Sequence, residues 1–222
     1  MPASRILHRA GNLRDLLPIA GHPAVDAIEA DVVVRGHDLV AHHDRPLGWL
    51  PLPLPLGERG PRLRHRDPVS LDELLRAVDG LAELVLDLRS WFNDPAPAVA
   101  AQLLARDDDS HVVVTCESWA VAERLLTWIP SLRVHLSVRS ERQLRAFVRR
   151  RIAGELPRVG VAVRHRLLGG PAEVAALREH ASSVTAWTVD DLDRARELTA
   201  WGVDAVVSNH LAILDGLHES GT

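Results

Sequence analysis

The chain has 222 residues, of which 46% are hydrophobic, and a formal net charge of -4. That supports one sizeable core, a single α/β domain over residues 1–222, and gives no global attraction for nucleic acid. All 26 basic residues are arginine, and there is neither lysine nor tyrosine, a bias of composition rather than a functional signal. The one cysteine, Cys116, cannot form an internal disulfide and fits a reducing compartment. Met1 to Arg5 lead straight into Ile6-Leu7, which leaves no room for a secretory apolar core. No apolar run approaches the roughly 18 residues needed to span a bilayer. A soluble cytoplasmic protein is expected, with no motif that sets an oligomeric state.

In chain order, the front half predicts a strand at Arg5–Leu7, a second around Ala27–Val34 and a return at Leu39–His42. Asp44 to Asp67 breaks this rhythm with Trp49-Leu50-Pro51-Leu52-Pro53-Leu54-Pro55-Leu56. Alternating prolines block helix and central strand, so this stretch reads as an extended loop. Its leucines either fold down onto the domain or form a greasy lip for a lipid-like substrate. Beyond residue 80, strands are predicted at Leu84–Leu88, His111–Thr115, Leu132–Val138, Val159–Val163, Val184–Val189 and Val203–Val207. Helices alternate with them at Ala96–Arg106, Ala120–Ile129, Glu141–Arg151, Ala172–His180, Asp191–Trp201 and Leu211–Leu217. Apolar runs between helical periods indicate buried parallel strands with crossover helices. Eight such strands in this length predict a compact TIM (β/α)8 barrel, with an open doubly wound sheet as the alternative. In both, sites lie at the C-terminal strand ends, where His8, Asp31, Asp87 and Trp187 fall.

Glu29 and Asp31 are two apart on an otherwise apolar strand, so both side chains share one face. Two buried carboxylates repel unless a cation lies between them. Asp87 adds a third acid within the apolar run Leu84–Leu88. Three oxygen donors with no cysteine cluster indicate a hard cation, Mg²⁺ or Ca²⁺. Among 12 histidines, His8 ends a strand beside Arg9, and His42 and His43 compete for one inward position beside Asp44. Cys116 follows a strand with no histidine tied to it, which favours simple packing.

The order His8-Arg9, Glu29-x-Asp31, His43-Asp44 resembles the glycerophosphodiester phosphodiesterases. The resemblance continues through Pro68 to Leu75 at a helix start and through Leu86-Asp87-Leu88-Arg89. Ser118-Trp119, Ala186-Trp187-Thr188-Val189-Asp190 and Gly202 to Asn209 extend it across nearly the whole chain. It implies a TIM barrel in which Glu29, Asp31 and Asp87 hold one divalent cation. It also implies His8 and His43, rather than His42, as acid and base, Arg9 and Arg89 as phosphate contacts, and Trp187 in the substrate pocket. The implied reaction cleaves a glycerophosphodiester to glycerol 3-phosphate and an alcohol. Three departures stand out: the family's E-N-T is replaced by Asn12-Leu13-Arg14-Asp15, the third acid is Asp87 instead of Glu, and the Pro-Leu loop replaces the usual cap. The shorter acid and the missing cap are similar to sphingomyelinase D-like phospholipases, so a lysolipid is the alternative substrate. A barrel that binds phosphate compounds without turnover is the third reading.

Overall fold

The computed structural model describes residues 2–35, 38–41, 68–90, 93–105 and 110–221. Its strands are β1 (Ser4–Leu7), β2 (Ala27–Arg35), β3 (Asp38–Ala41), β4 (Val69–Ser70), β5 (Glu83–Leu88), β6 (Val112–Cys116), β7 (Arg133–Val138), β8 (Gly160–Arg164), β9 (Val184–Trp187) and β10 (Ala205–Ser208). The helices are α1 (Leu71–Val78), α2 (Ala96–Leu104), α3 (Trp119–Trp128), α4 (Glu141–Ile152), α5 (Pro171–His180), α6 (Leu192–Ala200) and α7 (Leu211–Gly221). Strands β1, β2 and β5 to β10 run parallel, each beside the next, and β10 returns to β1. The sheet is therefore closed, which decides for the barrel over the open sheet. β3 and β4 are an antiparallel extension from the far end of β2.

Strand alternation explains how the layers form. Ile28, Ala30, Val32, Leu84, Leu86, Val114, Leu136, Val161 and Ala186 face the helices and belong to the main core. Their alternates Ile6, Ala27, Val85, Val113, Ala205 and Val207 make a smaller apolar plug inside the barrel, with Trp187 against it. Further along the same inner face, β2 presents Glu29 and then Asp31, and β5 presents Asp87, with Asp31 and Asp87 directly paired in register. On β7, two strands along from β5, His135 lies inside the barrel, its Nε2 2.9 Å from Ser183 Oγ. It fits because Gly160 has no side chain: a Cβ there would meet the His135 ring at 2.1 Å.

Outside, Leu71, Leu74, Leu75 and Val78 give α1 its buried stripe, and Ser70 with Glu73 closes a capping box at its start. Phe147 of α4 is fully buried, edge-on to Trp119 of α3 with ring centroids 6.4 Å apart. Truncation of such an aromatic costs about 3–5 kcal/mol.

Several boundaries shift from the sequence reading. β9 ends at Trp187 rather than Val189, and β10 starts at Ala205 rather than Val203. Gly202, with φ at 91°, and Val203 are spent in the turn that leaves α6. No α-helix separates β1 from β2; tight 3₁₀ turns at Ala10–Asn12 and Arg14–Gly21, the latter containing Pro18, fill the connection. The Pro-Leu stretch, His42, His43 and Asp44 lie outside the described residues. No helix among the described residues is long and apolar enough to cross a membrane.

Candidate active site

At the C-terminal end of the barrel, Glu29, Asp31 and Asp87 each offer one carboxylate oxygen, all within 4.8 Å of one another. β2 supplies the first two and β5 the third, through the pairing of Asp31 with Asp87. Glu29 is 4% exposed and Asp31 fully buried. Burial, then repulsion from Asp31 and Asp87, holds the Glu29 carboxyl well above its ordinary range. Burial likewise pushes Asp87 up to about 6, against the pull of Arg89.

The turn after β1 is folded onto this cluster. Arg9 takes a left-handed conformation, φ 61° and ψ 11°, unusual for a side-chain-bearing residue. Its main-chain N–H thereby donates to Glu29 Oε2 at 2.6 Å, while its Nε lies 3.9 Å from Asp31 Oδ2. Gly11 permits the approach, since a Cβ there would meet Ala30 Cβ at 2.7 Å. Asn12 then pins Asp31 twice: Nδ2 donates to Oδ2 at 2.8 Å, and Oδ1 accepts from the Asp31 N–H at 2.9 Å. The Asn12-Leu13-Arg14-Asp15 segment, a departure in the sequence, thus places an asparagine on the central acid.

His8 follows β1, with Nε2 3.8 Å from Glu29 Oε2 and Nδ1 2.7 Å from Asn209 Oδ1. Arg89 reaches from β5 into the acids and also pairs with Glu117, which Arg139 shares. Arg139 lies over the Trp187 ring at 5.7 Å. The structure therefore gathers His8, Arg9, Glu29, Asp31, Asp87, Arg89 and Trp187 at one mouth. His43 lies outside the described residues, although β3 returns the chain to Val32, beside Asp31, at Ala41. Asn12, Glu117, Arg139, Asp190 and Asn209 were missed in the sequence, because lone polar residues in loops carry no periodic signal. Cys116 is buried on the helix side, and burial drives its thiol pKa far up, which leaves no thiolate nucleophile.

The residues fit a hard cation on one direct observation. Glu29 Oε1 and Asp87 Oδ1 are buried and, among the described residues, have no hydrogen-bond partner. Two orphaned carboxylate oxygens on converging side chains are the donors that Mg²⁺ or Ca²⁺ takes.

No family model and no curated protein matches the chain. Solved structures do. A glycerophosphodiester phosphodiesterase from Parabacteroides distasonis is 17% identical, with a TM-score of 0.73, over 100% of this chain and 99% of the other. A glycerophosphodiester phosphodiesterase from Agrobacterium tumefaciens is 18% identical, with a TM-score of 0.69, over 98% and 99%. An Oleispira antarctica phosphodiesterase in complex with the product sn-glycerol-3-phosphate is 16% identical, with a TM-score of 0.72, over 97% of each chain. The chain has their fold. At this identity the likeness is one of architecture, end to end.

Proposed function

We propose that this chain is a glycerophosphodiester phosphodiesterase that cleaves its substrate to glycerol 3-phosphate and an alcohol. The observation that carries the reading is the acid cluster with two orphaned oxygens, set beside His8, Arg9 and Arg89 at the catalytic end of the barrel. The shared fold, and the glycerol 3-phosphate held by the Oleispira antarctica protein, support the choice of substrate class.

Glu29, Asp31 and Asp87 would hold one Mg²⁺ or Ca²⁺, which when bound neutralises charge on the phosphoryl oxygens. Arg9, half-exposed at the mouth, and Arg89 pair with the phosphate and orient it. His8 and His43 divide the proton transfers: one removes the proton from the attacking oxygen, the other delivers a proton to the leaving alcohol. The attacking oxygen belongs to water or to a neighbouring substrate hydroxyl; the latter gives a cyclic phosphate. Trp187 lines the substrate pocket. The substrate of this reading is a small diester, and a cytoplasmic location accompanies it.

Activity on glycerophosphodiesters and their acylated counterparts, with Mg²⁺, Ca²⁺ or chelator, tests it. The expected result is release of glycerol 3-phosphate, abolished by chelator. Turnover of acylated substrates alone would assign a lysolipid phosphodiesterase, and phosphate-compound binding with no turnover would assign a binding barrel.

A further inference from the structure

We propose that Asn209 and Asp190 are positioning residues that fix the His8 ring as its Nδ1–H tautomer, with the Nε2 lone pair directed at the acid cluster. The inference rests on the role given to His8 above.

Asp190 presents only acceptors when ionised. It takes three hydrogen bonds: the Asn209 main-chain N–H at 2.9 Å, Asn209 Nδ2 at 2.7 Å and Ser208 Oγ at 3.1 Å. Burial disfavours its charge, but the bonds from Asn209 and Ser208 outweigh that and keep the carboxyl below its ordinary range. The Asn209 amide is therefore not free to turn over. Its NH₂ must face Asp190, so its Oδ1 faces His8 Nδ1 at 2.7 Å. A carbonyl oxygen can only accept, so Nδ1 must carry the hydrogen. Nε2, 3.8 Å from Glu29 Oε2, is left as the nitrogen that exchanges a proton at the site. The His8 N–H also donates to Ser208 O at 2.8 Å, which ties the same strand end to β10. An isolated neutral histidine in water prefers the opposite tautomer, so the chain selects the minority form.

The experiment is ¹⁵N spectroscopy of the His8 ring in the full chain, without substrate or metal, at a pH where the ring is neutral. Wild type should show a protonated Nδ1 and a bare Nε2. Asn209→Ala and Asp190→Ala should each shift the ring toward Nε2–H. In turnover, Asn209→Ala should lower kcat by about 10²-fold with KM little changed. A wild-type ring already in the Nε2–H form, or no change of tautomer in Asn209→Ala, would overturn the proposal. If Asn209→Ala does not fold, Asp190→Ala decides by the same signature. The tautomer is read on the resting protein, so an inactive chain would refute the proposed function and leave this linkage standing.

Discussion

Arg89 donates from Nε to Asp31 Oδ1 at 2.8 Å, and its Nη2 lies 2.6 Å from Asp87 Oδ2. A guanidinium thus serves as the internal counter-charge of the acid pair. Burial opposes its charge, but Asp87 and Asp31 outweigh that and hold it protonated. Removal of one partner of a buried pair costs about 3–5 kcal/mol, because the other charge is stranded. Arg89→Leu should lose stability of that order in urea denaturation. Mg²⁺ or Ca²⁺ should restore more stability to this variant than it adds to wild type, because the cation then meets no competitor. Equal cation effects in the two proteins would place the cation elsewhere.

Asn12 satisfies both a carboxylate oxygen and the main-chain N–H of Asp31. Asn12→Ala leaves that buried N–H without its acceptor. A loss of about 1–3 kcal/mol is expected. Calorimetric titration should also show weaker binding of Mg²⁺ or Ca²⁺, with Asp31→Asn abolishing it. Unchanged binding in Asp31→Asn would remove the acid cluster as the site.

Loss of a general acid or base typically lowers rates by about 10²–10⁴. His8→Ala and His43→Ala should each fall within that range on a glycerophosphodiester, with circular dichroism unchanged. His42→Ala should stay close to wild type. A reversed result for His42 and His43 would show that the register past Ala41 is one residue from the expected one.

The inner-wall histidine carries a pH signature. Burial, aided by Arg133, pushes His135 from its ordinary 6.5 down to about 4. The unfolded chain then binds a proton in that interval that the folded chain does not. His135 thus contributes stability that is full above about 6.5 and is lost as pH falls toward about 4, roughly 3 kcal/mol at most. Asp87, pushed up to about 6, acts in the opposite sense: its contribution is greatest in acid and is lost as pH rises through about 6. The measurement is therefore the difference in melting temperature between wild type and His135→Gln across this range. That difference should shrink, or change sign, on acidification.

Sequence alone indicated parallel strands with crossover helices, which left the barrel and the open sheet as alternatives, and it singled out the acids of the candidate site. Period-two apolar strands between amphipathic helices are local patterns, and Glu29, Asp31 and Asp87 stand out because acids are costly inside apolar runs. His8 and Arg9 were legible through their place at a strand end and their order relative to those acids. Tertiary structure decided what no local pattern encodes. Closure of β10 onto β1 brings Asn209, 201 residues away in sequence, onto His8. The pairing of β2 with β5 sets Asp31 against Asp87 and lets Arg89 lie between them. The left-handed turn at Arg9, with Gly11 against Ala30, lays Asn12 on Asp31. Each of these is a contact between residues whose side chains have no periodic reason to be polar. Only the closed sheet, which fixes strand ends within a few ångströms of one another, gives them a shared partner.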